Sequence, residues 1–248
     1  MNPKNDNLII SYLTLRFIVG ILAFIFPFFL IFGTAIYDNK CCYVILSSIS
    51  SYYHSSADHI FGGVIIAIAI FLYAYRGYEK SKDACDNCNS IFCRIIDLSD
   101  NRTGNIACFG AVGLTLFPVS KMCNKFSWIE GMHYFFAAVF FLSLIYFSLC
   151  LFTKSKDQNL KPQKIKENKV YKYCGYFMLA CIILIAVGKI MEIKFSFIKN
   201  LLANTNYVFY LEVIALWAFG ISWFVKGKGI NRLITIKDLP VYLKNMGK

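Results

Sequence analysis

Six side chains of this sequence could do chemistry together: His54, Asp58, His59, Glu130, His133 and Glu212. The segment SISSYYHSSADHIFGG (48–63) sets His54 and Asp58 four apart, so they share a face if helix already runs there. In WIEGMHYFF (128–136) Glu130 and His133 are three apart and share a face in the same way. Imidazole with carboxylate is the ligand set of a divalent metal such as zinc, and with an open position it activates water. For that chemistry the set would be His54, Asp58 and His133. The same groups could handle protons or bind a polar ligand. A plainer role is open to Asp58 and Glu130, because acids favour helix N-termini. Glu212, inside YLEVIALWAFGISW (210–223), has no such role. A carboxylate in an apolar helix is costly unless it is paired, protonated or facing a polar cavity.

The elements that must position these groups are membrane helices. Of 248 residues, 58% are hydrophobic and 16% charged, and the mean hydropathy is +0.55. Soluble domains carry about 25% charged residues, so a soluble fold is excluded. A bilayer core about 30 Å thick needs roughly 20 apolar residues per helix. Six stretches approach that length: Leu8–Ile36, Ile60–Tyr75, Gly104–Ser120, Gly131–Thr153, Tyr173–Gly188 and Asn206–Val225. They are apolar on every face, unlike the alternating strands of a β-barrel. The expected fold is all-α, a polytopic six-transmembrane-helix bundle over 1–225, followed by a basic cytoplasmic tail over 226–248.

Basic residues stay on the cytoplasmic side of short loops. With six helices, 20 of the 26 Lys and Arg fall on the side that carries both termini; only Lys40, Lys121, Lys125, Lys189, Lys194 and Lys199 fall opposite. Both termini are therefore expected in the cytoplasm. The net charge of +12 is a topology signal, and no nucleic-acid partner is needed to account for it. The segment 154–169 reads as a solvated linker, and Arg16 as a residue near the inner boundary whose long side chain snorkels to water. The two halves show no internal repeat, and so give little support to a proton-coupled transporter carrying protons on Glu212.

The ten cysteines divide by side. Cys108, Cys150, Cys174 and Cys181 fall inside helices as small packing residues. Cys85, Cys88 and Cys93 fall in a cytoplasmic loop with too few ligands for structural zinc. Cys41, Cys42 and Cys123 fall on the outer side, where one of the first two could form a disulfide with Cys123.

Several blocks together resemble a family of uncharacterised bacterial six-helix membrane proteins: SISSYYHSSADHIFGG, YAYRGYE, GNIACFGAVGLTLFP, HYFFAAVFFLSLIYFSLCLF, VYKYCGYFMLACIILIAV and FYLEVIALWAFGISWFVKG. That pattern often has Arg-Asp where this chain has Asp58-His59. The layout is distantly similar to the DRAM/Frag/Sfk membrane proteins, which implies six helices, cytoplasmic termini and roles around membrane lipids. The Ser50-x3-His54 spacing also resembles the membrane hydrolases of the ceramidase and progestin-receptor superfamily, but no histidine follows His133 to complete their zinc site. The leading expectation is a lipid-associated protein of a bacterial inner membrane, with an outward-facing polar pocket that binds or positions a lipid headgroup or a partner. The alternative is a metal-dependent intramembrane hydrolase acting on a lipid. Membrane lipids are the expected partners, beside a protein partner or a second copy of the chain.

Overall fold

A computed structural model describes residues 12–38, 45–75, 98–119, 128–155, 160–203 and 205–228, and all regular structure among them is helical. The helices are α1 (Tyr12–Tyr37), α2 (Asp58–Ala74), α3 (Asp100–Leu116), α4 (Trp128–Tyr146), α5 (Pro162–Lys194), the short α6 (Ser196–Leu202) and α7 (Tyr207–Lys226). A 3-10 turn, Ser50–His54, leads into α2, and a π-turn, Phe147–Leu151, extends α4. Helices α1, α5, α7 and α4 with its π-turn are long and apolar enough to cross a membrane, and α2 is a shorter apolar helix.

Six helices form a closed ring, in which each of α1 to α5 packs on the next, α5 packs on α7, and α7 returns to α1. Neighbours run antiparallel. The α3 residue Gly104 lies against the Leu72 carbonyl near the end of α2, whereas Gly113 lies against the Phe136 ring near the start of α4. Ring closure depends on two glycines. A Cβ on Gly20 would stand 2.8 Å from the Gly220 carbonyl oxygen, and one on Gly220 would stand 2.9 Å from that of Gly20. Backbone meets backbone there, the close approach that small residues permit between membrane helices. The start of α1 and the end of α7 thus lie at one end of the bundle, where Gly227 touches Leu13 and Phe17.

Phe26, Ile68, Phe140, Phe147, Phe219 and Trp223 fill the interior. Phe24, Phe28, Phe29 and Phe32 of α1, Phe109 of α3 and Phe177, Ile183 and Leu184 of α5 point outward and are exposed. Outward apolar surface on this scale suits hydrocarbon rather than water.

Helix α5 departs from the expectation. It begins at Pro162 rather than Tyr173, so much of the segment read as a solvated linker is helical. Proline at its first turn and the good helix formers KIKENK carry it beyond the apolar stretch. Arg16 departs too: its Nη2 donates to the Tyr75 hydroxyl at 2.9 Å and does not simply extend to water. Cys108, Cys174 and Cys181 are free thiols within the bundle, but Cys150 is disulfide-bonded and more than a packing residue. Cys41, Cys42, Cys85, Cys88, Cys93 and Cys123 lie outside the described residues, as does the tail beyond Lys228.

Candidate functional site

The end of the bundle opposite Arg16 is closed by residues 45–57, which enter α2 through the 3-10 turn. Tyr52 is its buried anchor, packing on Phe209 at 6.1 Å, and its hydroxyl accepts the Leu46 N–H at 3.4 Å. Ser47, Ser48 and Ser51 form a hydroxyl cluster, with Oγ–Oγ distances of 3.0 Å (Ser47–Ser51) and 2.7 Å (Ser48–Ser51).

Glu212 of α7 reaches this segment. Its Oε2 accepts the Ile49 backbone N–H at 2.5 Å, and the Ser50 backbone also interacts with the carboxylate. Lys189 of α5 lies within electrostatic reach. The polar backbone of the turn answers the question that Glu212 raises in the sequence: its carboxylate holds a loop in place. Beneath the contact is a small cavity with room for about two water molecules, lined by Ile49, Ser50, Phe61, Leu114, Phe140 and Glu212 among others. Most of its lining residues are apolar, and Glu212 is their one ionisable group.

The two inward histidines share a different task. His54 Nε2 lies 2.6 Å from the Val119 carbonyl oxygen, and His133 Nδ1 lies 2.8 Å from that of Phe117. A carbonyl only accepts, so each of these ring nitrogens carries a proton. One imidazole from the 3-10 turn and one from α4 therefore hold the segment that follows α3. His133 is buried, 4% exposed, and His54 is half-buried with its ring edge-on to Tyr53.

The remaining candidates face elsewhere. His59 is exposed, 3.7 Å from the Asp58 carboxylate. Asp58 accepts the His59 backbone N–H at 2.7 Å in the first turn of α2, the ordinary place for an acid. Because His54 sits in the 3-10 turn and α2 begins at Asp58, the shared helical face expected for this pair is not present. Glu130 accepts the Tyr134 hydroxyl at 2.9 Å and lies within electrostatic reach of His133. Among the described residues no three His, Cys, Asp or Glu side chains are placed to hold a metal ion, so His54, Asp58 and His133 do not assemble as the expected triad.

Sequence reasoning missed the loop serines as a cluster and the role of Ile49 as a donor. The serine-rich run SSISS was the available signal. The chain matches no family model, no curated protein and no solved structure.

Proposed function

We propose that the chain is a six-span integral membrane protein of a bacterial inner membrane, with the Arg16 end cytoplasmic, and that it binds a membrane lipid at the opposite end. The observation that carries this reading is the apolar pocket beneath residues 45–57 with Glu212 in its lining. Apolar walls with a few polar groups at one side are the usual build of a small-ligand site. The cavity admits a single polar group rather than an acyl chain, so the hydrocarbon would lie on the outward apolar faces of the helices while a headgroup meets the hydroxyls of Ser47, Ser48 and Ser51. The outward apolar surface of α1, α3 and α5 supports a lipid surround. The hydrolase alternative draws no support from the described residues, because their ligating side chains stay apart.

Native mass spectrometry of the purified protein tests the reading. Leu114→Phe and Ile65→Phe fill the pocket from two sides and should each reduce the retained lipid several-fold with the helical content unchanged. Equal lipid retention in both variants and the parent would remove the pocket from consideration.

A further inference from the structure

At the Arg16 end, buried polar atoms, most of them donors, gather without a partner among the described residues. Arg16 Nε, the Tyr171 hydroxyl and Trp223 Nε1 are buried donors without a hydrogen-bond partner among the described residues, and Asn168 Oδ1 is a buried acceptor likewise without one. The donors belong to one cluster. The Trp223 and Tyr171 rings each contact that of Phe152, at 5.3 and 5.5 Å; Trp223 also contacts Tyr75 at 5.1 Å, and Arg16 lies 5.1 Å over the Tyr75 ring. Tyr171 and Trp223 are both fully buried. Unsatisfied buried polar groups are few in folded proteins, and each costs about 1–3 kcal/mol. Three donors in one cluster point to a missing acceptor.

Charge accumulates at the same place. Lys164 of α5 and Lys226 of α7 both donate to the Phe152 carbonyl, at 2.7 and 3.2 Å, so their ammonium groups sit side by side on one oxygen. Arg16 acts electrostatically on both. Among the described residues the acids that act on Lys226 are Asp100, which accepts the Tyr75 hydroxyl at 3.2 Å, and Glu167, which accepts the Gln163 amide at 3.1 Å, two acids against three cations. The end of α4 attracts cations through its dipole, which accounts for part of the gathering. One shared carbonyl nonetheless uses only one of the three protons on each ammonium. Lysines at a bilayer edge ordinarily extend to water, whereas these two fold back over aromatic rings.

We propose that this end of the bundle binds a phosphate group between Arg16, Lys164 and Lys226, with the Tyr171 hydroxyl and the Trp223 indole as neutral donors. Phosphate is rich in acceptors and multiply charged, which fits a cluster made of cations and unpaired donors. The group would be a lipid headgroup or free phosphate. The inference is independent of the pocket at the other end.

Thermal unfolding of the full-length protein tests it, with inorganic phosphate in detergent and with phosphatidic acid in phosphatidylcholine nanodiscs. A rise in Tm with inorganic phosphate identifies the free anion; a rise with phosphatidic acid alone identifies a lipid headgroup. Tyr171→Phe removes an oxygen that bonds nothing among the described residues, so the fold should persist while the apparent Kd weakens about three- to tenfold. Lys164→Gln combined with Lys226→Gln should weaken it more than about tenfold. The proposal fails if neither phosphate source raises Tm, if chloride at equal ionic strength raises it as much, or if Tyr171→Phe leaves the phosphate response unchanged.

Discussion

The Glu212 carboxylate accepts the Ile49 backbone N–H at 2.5 Å, tying α7 to the segment that enters α2 across 163 residues of chain. Replacement by glutamine keeps an acceptor oxygen at nearly the same place and should preserve the fold. Leucine would relieve an apolar helix of its carboxylate, the gain that sequence alone suggests. It would also leave the Ile49 N–H without its partner, at a cost of about 1–3 kcal/mol. Thermal unfolding should therefore rank the parent and Glu212→Gln together and Glu212→Leu below them. A leucine variant as stable as the parent would show that the contact does not hold the loop.

His54 and His133 brace one short segment through the Val119 and Phe117 carbonyls. Removing either loosens what the other holds, so the two substitutions should not add. In a double-mutant cycle of His54→Ala and His133→Ala, the coupling should be at least about 0.5 kcal/mol. His133→Ala alone should be the more damaging, because its ring is the more deeply buried. Strict additivity would mean that the two braces act independently.

Tyr75 bridges Arg16 and Asp100, accepting from one and donating to the other. Tyr75→Phe keeps the ring packed on Phe147 and Trp223 while removing both bonds. A loss of about 1–3 kcal/mol is expected in chemical denaturation. An unchanged midpoint would show that the bridge contributes nothing net.

Membrane sidedness follows from the position of exposed residues at the two ends. In a background without native cysteines, a thiol introduced by Thr205→Cys should react with impermeant reagents in intact cells. One introduced by Lys161→Cys should react only after permeabilisation. The reverse pattern would invert the proposed orientation.

The long apolar helices α1, α4, α5 and α7 were readable from the sequence, because hydrophobic length is a property of local stretches, whereas the short α6 was not. Nor was the start of α5: apolarity marks where lipid is, whereas helix continues through Lys164 to Lys169 on backbone propensity and on polar contacts of Lys164 and Asn168 with the Phe152 and Thr153 carbonyls. At the site, composition singled out Glu212 as a residue needing partners, and it has them. Those partners are main-chain N–H groups, present at almost every residue and so invisible in a search for complementary side chains. The histidines misled for a related reason. Their spacing resembled a ligand set, but their partners are carbonyls of residues 117 and 119, whose position depends on how α3 ends.

The backbone contact between Gly20 and Gly220 has a bearing on how the protein is made. Among the described helices α1 leaves the ribosome before the others, yet its partner in the ring is α7, the last of them to follow. Until α7 enters the membrane, the Gly20 face of α1 must wait against lipid, which is tolerable because its backbone hydrogen bonds are already satisfied within the helix. The nascent bundle is therefore an open arc through most of its synthesis. A chain released before α7 would retain the pairs from α1–α2 to α4–α5 and still expose an unpaired seam at both ends of the arc, a surface that quality-control proteases or a second arc could engage.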